Sequence, residues 1–209
     1  MEVDLAALRR NYRRIVAHIR PLEVMAVLKA NAYGLGVLPI AEALHREGIN
    51  FFGVAEPNEA LEIQRLGVPT LILGSVLPDE VPELLSPNIR FPITCPEIAQ
   101  TINAHARRAG VRVKGHVLVD TGMGRLGVPL RQAKDTIRAI HSHAAVELEG
   151  MYSHFPAAYT DREFSAEQVR RFIALASELE RDLGLKVPHL HISNSDGIHN
   201  IPEAIQAPF

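Results

Sequence analysis

Residues 24–48 read VMAVLKANAYGLGVLPIAEALHREG. An apolar run of strand length (24–28) is followed by a polar, glycine-containing segment. Then comes a stretch of helical periodicity (38–46), closed by Gly48 where a helix C-terminus favours glycine. Read outward, the same unit recurs. Apolar runs lie at 51–54, 70–73, 89–93, 111–119, 146–151 and 187–192. Helical stretches lie at 59–66, 97–108, 130–141 and 167–183, and Gly67, Gly110 and Gly184 close three of them. A leading helix is marked by Leu5, Leu8, Tyr12, Ile15 and Ile19, with Asp4 as its cap and Pro21 beyond its end. Near-continuous apolar strands belong to a sheet buried on both faces, and strand–helix alternation makes that sheet parallel. The class is therefore α/β. An open doubly wound sheet and a (β/α) barrel both satisfy the pattern, and the spacing favours the barrel. No repeat, linker or composition break divides the chain, so residues 1–209 are expected to form one domain.

Composition excludes several functions. The 209 residues are 47% hydrophobic and 22% charged, enough to bury a core without disulfides or metal. Cys95 is the single cysteine, so no intramolecular disulfide forms, as fits a reducing, cytoplasmic setting. The start MEVDLAALRR carries acids and no apolar signal region. No apolar run approaches the roughly 20 residues of a membrane span. A net charge of −2 argues against nucleic acid or a membrane surface as partner.

In parallel α/β folds, sites form where strands end at their C-terminal edge. Strand alternation puts Met25, Val27 and Lys29 on one face, with Lys29 at the mouth. It reads as a rim lysine or as a Schiff-base lysine, made nucleophilic by apolar surroundings. Asn31 and Tyr33 follow, then Gly34 and Gly36, which let backbone approach a ligand. Within VRVKGHVLVDTGMGRLGVP (111–129), Gly122, Gly124 and Gly127 match a dinucleotide fingerprint. There the glycines should open the helix, whereas Pro129 places the helix start after them. Arg125, between two glycines, is the better candidate, a donor fork for an oxyanion. His154 ends the sixth run, as a core or rim imidazole or one that stacks on a flat cofactor. In PHLHISNSDGI (188–198), Asn194, Ser195 and Gly197 form a donor-rich loop suited to phosphate. His189 and His191 raise a metal site, but no Cys, Asp or Glu stands beside them as third ligand.

Together, DLAALRRNYRRI, VLKANAYGLG, VDTGMGRLG, GMYSHF and HISNSDG resemble the alanine racemase family along essentially the whole chain. The resemblance implies a pyridoxal 5′-phosphate enzyme with an N-terminal (β/α)8 TIM-type barrel, a C-terminal β domain and a homodimeric full-length form. It implies that Lys29 carries the cofactor as an internal aldimine and serves as one of two catalytic bases. Tyr33 and the Ser195 loop, with Asn194 and Gly197, would hold the phosphate; Arg125 would contact the ring oxygen and substrate; His154 would lie against the ring. The implied activity is interconversion of L- and D-alanine, supplying D-alanine for peptidoglycan. Racemisation of serine or another small amino acid is an alternative, as is a non-catalytic pyridoxal-phosphate carrier, though such carriers lack the KANAYG context.

Two departures stand out. Many members carry a lysine, often carbamylated, where this chain has Leu118, so Arg125 needs another partner. The family also continues past the seventh strand with an arginine facing the pyridine nitrogen and a second, tyrosine base from the C-terminal domain. Against a barrel of about 250 residues, the expectation is a barrel truncated after its seventh strand, with impaired activity.

Overall fold

The structure, a computed structural model, describes residues 2–206. The chain separates into two compact units, one up to Pro92 and one from Ile93 onward.

The first unit opens with helix α1 (Leu5–Ile19), whose first amides are capped by Asp4 Oδ1, at 2.8 Å from Ala6 N and 3.0 Å from Ala7 N. Strand β1 (Ala26–Val27) leads into a single turn, α2 (Lys29–Tyr33), then helix α3 (Val37–His45). Strand β2 (Phe52–Val54), helix α4 (Pro57–Ile63), strand β3 (Thr70–Ile72) and strand β4 (Ile89–Ile93) follow. β1 pairs with β2, β2 with β3 and β3 with β4, all parallel. Phe52, Val54, Leu71 and Ile72 have no exposed surface, as strands covered on both faces require.

The second unit contains helix α5 (Pro96–Ala109), strand β5 (Val113–Asp120), a short strand β6 (Val128–Pro129) and helix α6 (Leu130–His141). It continues with strand β7 (Val146–Tyr152), helix α7 (Arg162–Leu183), strand β8 (His189–His191) and the short helices α8 (Ser195–Asn200) and α9 (Glu203–Gln206). β5 pairs in parallel with β7 and with β6, and β7 with β8. Among the described residues no helix is long and apolar enough to cross a membrane.

The expected elements are present, with two informative differences. The first strand, expected over 24–28, is only two residues long because Leu28 already leaves extended backbone (φ −117°, ψ 23°). α7 begins five residues before the expected 167, since Asp161 accepts from Phe164 N at 3.0 Å and starts the helix ahead of its apolar stripe. As expected, α6 opens at Leu130, after Gly122, Gly124 and Gly127, so those glycines shape a loop rather than a helix start.

Candidate active site

In the first unit, Lys29 follows β1, but strand alternation does not set its place. The strand ends at Val27, and Ala30, Asn31, Ala32 and Tyr33 all take positive φ of 53–57°, forming one left-handed turn. For residues with a Cβ this conformation costs roughly 1–2 kcal/mol each, on the order of 4–8 kcal/mol for four. Hydrogen bonds offset it. Asn31 O accepts from Gly34 N (3.1 Å) and Gly36 N (3.0 Å), and Asn31 Oδ1 accepts from Val37 N (2.7 Å) at the start of α3. Asn31 N donates to Glu59 Oε1 (3.0 Å), whose Oε2 accepts from Ala55 N (2.9 Å) and Glu56 N (3.2 Å). The turn leaves Lys29 exposed, as a rim lysine and not one surrounded by apolar side chains, and Tyr33 is 64% exposed. Neither side chain bonds to another described residue.

In the second unit, β5 ends at Asp120, whose Oδ1 accepts from Gly122 N (2.9 Å) and Gly124 N (3.0 Å). This curls the loop that carries Arg125 outward. A Cβ on Gly127 would lie 2.8 Å from both Cγ and the carbonyl oxygen of buried Leu118, so the loop closes directly on Leu118. At the position where many family members have a lysine, this chain therefore packs an apolar side chain. Arg125 is exposed, and no described residue gives it an ion pair or side-chain hydrogen bond.

His154 is half-buried just beyond β7. Its carbonyl accepts from Gln168 Nε2 (3.2 Å), which also donates to Thr121 Oγ1 (3.1 Å). Thr121 Oγ1 in turn bonds Ser153 Oγ (2.8 Å). Gln168 thus ties the base of the Arg125 loop to the His154 segment. Its Oε1 is buried without a hydrogen-bond partner among the described residues. Asn194 Oδ1 accepts from Gly197 N (2.8 Å) and caps α8, leaving Ser195 exposed at its first turn. A Cβ on Gly197 would fall 2.6 Å from Ser193 Oγ and 2.9 Å from Phe155 Cε2. The unit therefore brings the Asn194–Gly197 loop against the segment that carries His154.

Sequence reading missed Glu59, Gln168 and the polar chain inside the second unit. Gln168 had a signal, because it interrupts the buried stripe Ala166, Val169, Phe172 and Leu175 of α7. In the polar chain, Lys114 Nζ lies 2.7 Å from Glu149 Oε1, and Glu149 Oε2 lies 3.2 Å from His116 Nε2. His116 Nδ1 lies 2.9 Å from His191 Nε2, and Tyr152 stacks on His191 at 5.1 Å. A carboxylate can only accept, so His116 donates to Glu149 from Nε2. His189 stacks on His116 at 6.0 Å, and among the described residues no group of three or more His, Cys, Asp or Glu is arranged to hold a metal.

Burial first, and the neighbouring imidazoles of His116 and His189 second, hold His191 well below the ordinary histidine value; burial pushes the Tyr152 phenol up. The unfolded chain gains a proton on His191 as pH falls through about 6.5, while the folded chain does not. Stability should therefore fall below that pH, by up to about 1.4 kcal/mol per pH unit for this proton. Urea midpoints of the parent and His191→Asn, compared between about pH 7.5 and pH 5.5, should converge at acid pH. Parallel profiles would exclude His191 as the source.

The model of the family described as alanine racemase, N-terminal domain, matches residues 3–207. The alanine racemase of Methanococcus maripaludis is 35% identical over 207 residues, covering 97% of this chain and 55% of the relative. Among solved structures, the alanine racemase of Streptomyces coelicolor matches with TM-score 0.88 and 27% identity, over 97% of this chain and 55% of that one. A histidine racemase from Leuconostoc mesenteroides matches with TM-score 0.81 and 26% identity, over 93% of this chain and 52% of that one. The chain spans about half the length of the relatives it matches. The shared fold is of the (β/α)-barrel class expected from the strand spacing. By the family match along nearly its whole length, the chain belongs to the alanine racemase N-terminal domain family.

Proposed function

We propose that this chain is the cofactor-binding portion of a pyridoxal 5′-phosphate-dependent alanine racemase. The observation that carries the reading is the donor set. Lys29, Tyr33, Arg125 and Ser195 are all exposed, and none spends its side chain on another described residue. An amine, a phenol, a guanidinium and a hydroxyl are what an aldehyde, a phosphate and a ring oxygen require, so the residues present fit the cofactor. Lys29 Nζ would be the nucleophile for the aldehyde. Tyr33 and Ser195 would donate to the phosphate, with Asn194 and Gly197 shaping the Ser195 loop, and His154 would contact the ring. The guanidinium of Arg125 would serve the ring oxygen and the substrate carboxylate. When bound, the cofactor supplies an electron-accepting ring that stabilises charge left on the substrate Cα.

Lys29 Nζ would take or return the Cα proton on one face of the amino acid. Inversion needs a second acid–base group on the opposite face, which would come from the C-terminal domain of a homodimeric full-length protein. The product would serve peptidoglycan synthesis in the cytoplasm. Because a histidine racemase shares the fold, the substrate side chain is itself a point to test. The chain is incubated with pyridoxal 5′-phosphate, reduced with borohydride and mapped by peptide mass. The label is expected on Lys29, and a label elsewhere overturns the assignment. Deuterium entry at Cα, compared among alanine, serine and histidine, identifies the substrate, and faster exchange of serine or histidine would displace alanine.

A further inference from the structure

We propose that Glu59 is a positioning residue for Lys29 and Tyr33, holding the left-handed turn through the amide of Asn31. The inference rests on the reading of Lys29 above, but its first measurement does not. Glu59 stands at the third position of α4, where a carboxylate ordinarily serves only the helix start. Here Oε2 alone accepts both local amides, from Ala55 (2.9 Å) and Glu56 (3.2 Å). That leaves Oε1 for Asn31 N, 28 residues earlier and on the loop of a different strand. Asn31 is the hub of the turn, with its amide on Glu59, its carbonyl on Gly34 and Gly36, and its side-chain oxygen on Val37 N. It lies midway between Lys29 and Tyr33, so its rotation displaces both. Asparagine is also the residue of the four best suited to positive φ. Glu59 therefore joins the loop after β1 to the loop after β2 at the point where the backbone is most strained.

A plain helix cap and a positioning role predict different things. In Glu59→Gln, one oxygen can still serve Ala55 and Glu56, but the other position becomes an NH2 that faces the Asn31 amide. In the 209-residue chain without added cofactor, amide exchange at Asn31 is expected to accelerate about tenfold or more, while Phe52 and Leu71 keep the parent rates. With cofactor, capture at Lys29 is compared for pyridoxal 5′-phosphate and for pyridoxal, which lacks the phosphate that Tyr33 would hold. The parent should prefer the phosphate form, and Glu59→Gln should lose about tenfold of that preference with its unfolding midpoint kept. Glu59→Asp, which keeps the charge but is one methylene shorter, should behave likewise and serves if the glutamine variant does not fold. Unchanged exchange at Asn31, or acceleration confined to Ala55 and Glu56, overturns the proposal in favour of a cap. A parent chain labelled away from Lys29 would instead overturn the cofactor reading, leaving the exchange result to judge Glu59 alone.

Discussion

Lys29→Ala is expected to abolish borohydride-fixed pyridoxal phosphate at the site while changing folding stability by no more than about 0.5 kcal/mol. The two effects separate because Lys29 is exposed and bonded to no other described residue, so truncating it breaks nothing that holds the turn. Lys29→Arg sharpens the test. Arginine keeps the cation but is not deprotonated in proteins, so it offers no neutral amine to attack an aldehyde. A site that merely attracts the phosphate would keep binding in Lys29→Arg. Covalent capture would be lost in both variants. Visible absorbance on adding cofactor, followed by reduction and mass mapping, distinguishes them; a persistent label in Lys29→Ala would remove Lys29 from its role.

Gly150→Ala should be the most damaging single methyl addition in the second unit. Gly150 sits in β7 beside His116, and a Cβ there would lie 2.3 Å from His116 Nδ1 and 2.5 Å from Cε1. The imidazole cannot swing aside cheaply, because it is fully buried and bonded at both nitrogens, to His191 and to Glu149. Moving it leaves the buried Glu149 carboxylate with fewer donors, and not moving it forces the strands apart. Overpacking and a lost charge-assisted hydrogen bond together cost roughly 3–5 kcal/mol, read as a large fall in the urea midpoint. The decisive control is the same substitution in a His116→Ala background. With the ring gone, adding the methyl should cost little, and the cycle should show strong coupling. An equal loss in both backgrounds would mean that Gly150 is required for its backbone and not for the ring above it.

Much of this was legible in the residues alone. α6 covers the expected 130–141, and the glycines that end the helical stretches do so at positive φ, because capping and periodicity are local. The rejection of the dinucleotide fingerprint follows from a local feature too, the place of Pro129 immediately before α6. Asn31 was visible as an unusual polar residue, but the sign of φ across Ala30–Tyr33 was not. Alanine and tyrosine carry no preference for left-handed backbone, and only the distant Glu59 and the following helix compensate for it.

The sequence by itself therefore determined the class of fold, the order of its elements and the strand ends at which Lys29, Arg125, His154 and Ser195 stand. Each of these depends on neighbours within a few residues. Tertiary structure alone decided how the backbone segments that carry them are held. The bonds that hold those segments, or order the polar chain of the second unit, join Asn31 to Glu59 across 28 positions, Thr121 to Gln168 across 47 and His116 to His191 across 75. Such pairings leave no periodic trace in the chain. They form because a polar group taken out of water must find a partner wherever folding brings one.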